Sequence, residues 1–157
     1  MFMKNKILYF CLLAFLLSAC KSVTTVQQQE PMCLGTELDG SQTVRSFGIG
    51  RNENDARQQA KKNAVNAVIF TGIRSGVDGC NTKPLIFEVN AREKYEDFFN
   101  AFFADGGDYT KFVSYKDTRT ASAQRSRTNA QFKISLALRI DRAGLKEYLI
   151  KNNIIKK

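Results

Sequence analysis

Apolar and polar positions change period several times along this chain, and each change marks an element. Ile7 to Leu17 is an unbroken apolar run of eleven residues, and Lys21 to Pro31 is polar with no period at all. Thr43 to Gly50 is β-prone, ends in glycine and reads as the first strand. Ala56, Ala60, Ala64, Ala67 and Val68 then recur as a single helical stripe, with Arg57, Lys61 and Lys62 on the other faces. The spacing predicts a helix over Glu53 to Phe70, capped by Asn52 or Asn54, with Asp55 favouring its first turn. Small alanines on its buried side let such a helix lie close to a sheet.

Gly72, Gly76, Gly79 and Asn81 make Thr71 to Pro84 a loop. Pro84 to Val89 is a short strand or the lead-in to a helix over Ala91 to Asp105. On that helix Tyr95, Phe98, Phe99, Phe102 and Phe103 fall at i, i+3, i+4, i+7 and i+8, and Gly106-Gly107 supply the stop. Such a stripe is either core or a docking helix that leaves part of itself exposed. Thr110 to Tyr115 reads as a second strand, followed by a polar segment through Arg119, Arg125 and Arg127. The strongest strand signal comes next. Ala130, Phe132, Ile134, Leu136, Leu138 and Ile140 alternate with Gln131, Lys133, Ser135, Ala137, Arg139 and Asp141. Period two over this stretch means one face buried and one wet. Asp141 can cap a last helix bearing Leu145, Tyr148 and Leu149, with Ile154-Ile155 behind it. The fold class expected is α+β, a small antiparallel sheet with two to three helices on one face.

The N-terminus changes the picture. Lys4 and Lys6 precede the apolar run and Ser18-Ala19-Cys20 follows it, the order of a signal peptide. Eleven residues are too few to cross a bilayer, which takes about 20. Leu17-Ser18-Ala19-Cys20 resembles the bacterial lipobox. That resemblance implies cleavage before Cys20, acylation of its thiol, and membrane anchoring by lipid (palmitate among the chains), with a plain secretory signal as the alternative. Two or three acyl chains give stable anchoring where one is marginal. The expected organisation is a signal peptide at 1–19, lipidated cysteine and flexible tether at 20–31, and one domain at 32–157. No acidic residue follows Cys20 in Lys21-Ser22-Val23-Thr24, where surface-export signals often carry one. By that resemblance the domain hangs from the outer membrane into the periplasm.

With Cys11 in the signal and Cys20 acylated, Cys33 and Cys80 remain, and in an oxidising compartment they pair most simply as a disulfide. Its loop of about 48 residues would contribute roughly 3–4 kcal/mol in the chain-entropy model. Two free thiols or a thiolate site are the alternatives.

The Phe47-Gly48-Ile49-Gly50 strand end, the Ala56/Ala60/Ala64 helix and the late alternating strand running to Leu145–Leu149 together resemble one domain type. It is the N-terminal domain of the flagellar assembly protein T and of related LPP-type bacterial lipoproteins. The similarity covers most of residues 42–150 in outline; Cys33, Cys80 and the phenylalanine helix are not part of it. It implies an envelope or assembly role and supplies no catalytic residue.

The chain has no histidine and no tryptophan, which removes histidine-dependent hydrolysis and histidine metal schemes. It carries no G-x-S-x-G, phosphate loop or paired carboxylates, and Gly48-x-Gly50 lacks the rest of a dinucleotide fingerprint. Glu93, Glu96 and Asp97 read as the wet face of the phenylalanine helix. No enzyme, metal or cofactor is expected. Charge is unevenly spread: residues 20–108 hold ten basic and twelve acidic residues, whereas 109–157 hold twelve basic and three acidic. Arg125, Arg127, Lys133 and Arg139 form a candidate binding face for polyanions or an acidic partner, or simply keep the wet face soluble. Nucleic acid is not an expected partner, because the chain is exported and no aromatic residue interleaves Arg119–Arg127. Two functions follow as expectations. One is a non-enzymatic envelope lipoprotein that docks on a partner protein or assembly. The other is a periplasmic binding module for an anionic glycan, lipid headgroup or lipopolysaccharide.

Overall fold

A computed structural model describes residues 29–116, 124–128 and 131–156. The expected signal peptide, Cys20 and the tether to Gln28 therefore lie outside the described residues.

The chain is α+β. Among the described residues the strands are β1 (Met32–Thr36), β2 (Gln42–Gly50), β3 (Ser75–Gly76), β4 (Val113–Tyr115), β5 (Gln124–Thr128) and β6 (Gln131–Ile140). They line up as β3-β1-β2-β6-β4, with β5 also on β6. One side of β6 pairs with β2 from Phe132 to Ile140. Its other side takes β5 along Gln131–Ser135 and β4 along Leu138–Ile140. These ladders and β1/β2 are antiparallel, but β1/β3 is parallel, so the sheet is mixed rather than wholly antiparallel.

The period-two signal reports the register directly. Val44, Ser46 and Gly48 on β2 stand opposite Leu138, Leu136 and Ile134, forming one row. Against it lies α1 (Glu53–Asn66), started by Asn52, whose side chain accepts from the Asp55 N–H at 2.9 Å. Ala56, Ala60 and Ala64 are buried against the sheet, and the Ser46 hydroxyl donates to the Ala60 carbonyl at 2.7 Å. A side chain on Gly48 would collide with the Ala56 carbonyl and the Ala60 backbone nitrogen, so glycine here sets the helix-to-sheet distance.

The first helix continues to Thr71, but its last five residues, Ala67–Thr71, form a π turn. Gly72 closes it at φ 75°, with its N–H donating to the Ala67 carbonyl at 2.7 Å. Residues 84–89 are neither strand nor helix. They are pinned to that turn by Leu85 N–H to Val68 and Ile86 N–H to Ile69. The helix expected over 91–105 is broken into α2 (Ala91–Lys94) and α3 (Glu96–Phe102) by Tyr95, at φ −116° and ψ 38°. It also ends short of Gly106. Residues 108–112 form a 3₁₀ helix, so the expected strand over 110–115 shrinks to Val113–Tyr115. The last helix, α4 (Arg142–Lys151), starts as expected, with Asp141 accepting from the Gly144 N–H at 2.8 Å. A Cys33–Cys80 disulfide, with Cα atoms 6.2 Å apart, ties β1 to the loop after β3.

Candidate functional site

The aromatic stripe is mostly interior. Phe99 and Phe102 are buried, while Tyr95, Phe98 and Phe103 are half-buried and pack on the core. Phe99 meets Phe70 edge-on at 4.8 Å, Phe102 meets Phe103 at 4.9 Å, and Phe112 meets Tyr148 at 5.2 Å. Two phenolic groups packed with it find partners: Tyr109 donates to Gln58 at 2.8 Å, and Tyr148 donates to Asp108. Burial, with the Asp108 carboxylate beside it, pushes the Tyr148 phenol up to about 12. At the centre of the stripe Phe99 and Phe102 are core, and through them α3 joins α4 and the 3₁₀ helix to the core.

The other row of the sheet is the open one. Thr43, Arg45, Phe47 and Ile49 on β2 stand opposite Arg139, Ala137, Ser135 and Lys133 on β6. Arg45 and Lys133 are exposed, and Phe47, Ile49, Ala137 and Arg139 are half-buried. Thr43 and Ser135 are buried, so this row is less wet than simple alternation implies. The result is a small apolar centre with cations around it.

Glu37 organises one corner of this face. It sits at the β1–β2 turn, where its carbonyl accepts from the Gly40 N–H and its own N–H donates to Ser41. Its carboxylate accepts from the Thr43 hydroxyl at 2.6 Å. Lys116 and Arg139 lie 3.2 and 3.4 Å from its two oxygens. The Thr43 hydrogen bond, then Lys116, hold the Glu37 carboxyl below its ordinary value. Asp39 is likewise held down, by the hydroxyl and N–H of Ser41. Arg139 Nε is buried and donates to none of the described residues. A groove of about 340 Å³ opens beside it, lined by Lys111 and Arg139 but equally by Asp39 and Asp141. Two cations facing two carboxylates do not make a dedicated anion pocket.

The expected four-residue basic face does not assemble as one row. Lys133 and Arg139 share the open row, but β5 register pairs Arg125 with Ile134 and Arg127 with Phe132, the positions of the opposite parity. The side chains of Arg125 and Arg127 lie outside the described residues. Sequence reading missed Glu37, Arg45, Phe47 and Ile49. The last three were legible as the polar-side partners of Val44, Ser46 and Gly48 by period two. Glu37 was not, because its partners are 6, 79 and 102 positions away (43, 116 and 139 minus 37).

Chemically, the ionisable groups are set for pairing. Lys111 and Tyr148 hold Asp108 down, and Lys62, 2.8 Å away, holds Asp105 down. A general acid needs the opposite, a carboxyl raised toward neutrality. Among the described residues no three His, Cys, Asp or Glu side chains converge in a way that could hold a metal ion.

No family model, curated protein or solved structure matches the chain, which leaves the resemblance to the assembly-protein domain as an expectation of the sequence.

Proposed function

We propose that this chain is a non-enzymatic envelope lipoprotein, anchored through acylated Cys20 on the periplasmic side of the outer membrane, that docks an acidic partner protein on the open row of its sheet. The observation that carries the reading is the composition of that row: half-buried Phe47, Ile49 and Ala137 with Arg45, Lys133 and Arg139 around them. An apolar centre within a charged rim is how protein interfaces are built. A rim of cations steers an acidic partner and rejects basic ones. The resemblance to assembly-protein domains points the same way.

The test is crosslinking in cells, recovery of the acylated protein from membranes at low and high salt, and mass spectrometry of what accompanies it. A defined protein retained at high salt, and lost from both Phe47→Asp and the Arg45→Glu/Lys133→Glu pair, supports docking on this row. A protein partner indifferent to all three substitutions sinks it.

The second reading, a module for an anionic glycan, lipid headgroup or lipopolysaccharide, is favoured by Arg139, whose buried Nε–H finds no acceptor among the described residues. It expects recovery of lipid or glycan alone, released by salt because exposed charge pairs are screened.

A further inference from the structure

Five large apolar side chains are exposed among the described residues: Met32 at 37 %, Leu38 at 110 %, Val77 at 55 %, Phe87 at 72 % and Val89 at 94 %. Leu38 sits on the β1–β2 turn. The other four belong to segments that converge where the described chain begins. Met32 opens β1, in register with Ser75 of β3, and the Val77 N–H donates to the Cys33 carbonyl at 3.2 Å. Phe87 follows Ile86, whose N–H is held 2.9 Å from the Ile69 carbonyl in the π turn. That same turn forms one wall of a groove of about 430 Å³ whose other wall is Gln29, Glu30 and Pro31. The point at which the N-terminal segment meets the domain and the segment bearing Phe87 and Val89 are thus both built on Ala67–Thr71.

We infer that this corner rests on the lipid surface, with Phe87 and Val89 inserted at the headgroup–acyl boundary and Val77 and Met32 beside them. The inference rests on the proposed acylation of Cys20. Nine residue steps from Cys20 to Gln29 span at most about 30 Å when fully extended. The anchored corner is therefore confined near the bilayer, and contact with it is effectively intramolecular. An exposed phenylalanine and valine at that place gain by leaving water for the interface. Charge adds little: Arg74, Lys83, Arg92 and Lys94 share residues 74–94 with Asp78, Glu88 and Glu93, and Lys94 is paired to Glu88 at 2.8 Å. The contact is accordingly apolar and insensitive to salt. It orients the domain, where the lipid tether alone would let it tumble.

The absence of tryptophan from the chain makes the test clean. Phe87→Trp, and separately Val89→Trp, are placed in the full-length acylated protein and reconstituted into phosphatidylethanolamine/phosphatidylglycerol vesicles with or without brominated acyl chains. Leu38→Trp serves as the reference. The expected result is blue-shifted emission at 87 and 89, quenched several-fold more by brominated lipid than emission at 38, with no change between low and high salt. Protein that floats with the vesicles but is not quenched at 87 or 89 overturns the inference. So does a blue shift without bromolipid quenching, which means that a second copy or a partner protein covers the corner. Equal quenching at 38 also overturns it, since the corner is then nothing special. Protein that fails to float at all overturns the anchoring reading instead.

Discussion

Along β6, Leu136, Leu138 and Ile140 are fully buried, whereas Lys133 is exposed and Ala137 and Arg139 only half-covered. The two rows share one backbone and one set of hydrogen bonds. They differ in what faces them: α1 and its alanine stripe on one side, and on the other the Glu37 corner and solvent. Where the cover is a helix at close range, side-chain volume decides whether the chain folds. Where it is open, side-chain volume is freer to vary. Cover by the helix is thus divided by strand parity rather than by position along the sequence.

The largest expected break in that division is Leu136→Ala. It removes a fully buried side chain opposite Ser46, and loss of transfer energy plus a residual cavity costs about 2–5 kcal/mol. Lys133→Ala, three residues away on the open row, is expected to stay within about 0.5 kcal/mol. Chemical denaturation of the two variants decides the matter; equal losses would mean that the rows are not distinct. Gly48→Ala comes next. Its new Cβ meets helix backbone rather than a flexible side chain, so α1 must shift, at about 1–3 kcal/mol. Ile49→Ala, one residue on and on the open row, should cost less than Gly48→Ala although it removes side-chain atoms where Gly48→Ala adds one. A denaturation midpoint lower for Ile49→Ala than for Gly48→Ala would contradict the close-approach argument.

These contrasts also show what the sequence could and could not reveal. The buried row, the alanine helix and the caps at Asn52 and Asp141 are local patterns, and each was readable within a few residues. β1 was not, because Met32–Thr36 is short, lacks alternation and contains Gly35 at φ 151°. β3 is two residues recognisable as a strand by their pairing with β1, about 43 positions earlier in the chain, and not by any local pattern. The break at Tyr95 escaped for a different reason. No glycine or proline marks it, and the aromatic spacing runs straight through both pieces. Periodicity names the face a residue belongs to but not what covers it, so core and docking surface looked alike at Phe98–Phe103. The open row was half legible, through Lys133 and Arg139. The register that pairs Arg125 with Ile134 and Arg127 with Phe132 was not legible, because the parity of β5 is set by its pairing with β6, which no local pattern encodes.

The smallest expected effect concerns Glu37, which joins the turn to the open row. Its folded carboxyl lies below the ordinary value, chiefly because Thr43 donates to it and Lys116 lies beside it. A depressed folded value means that the unfolded chain binds the proton more readily, so stability rises with pH through that range. The contribution is complete above the unfolded carboxylate value of about 4.3 and disappears as the pH falls through the folded one. Glu37→Gln should therefore unfold slightly earlier than the parent protein at pH 7, and the gap should close below about pH 4 as the parent's own carboxyl protonates. Salt should narrow only the part due to Lys116 and Arg139, since the Thr43 hydrogen bond, at 2.6 Å, is not screened like an exposed ion pair. A gap of constant size from pH 7 to pH 3 would mean that the side chain acts by shape alone. In that case Arg139 is held to the open row by packing, and the corner does not depend on ionised Glu37.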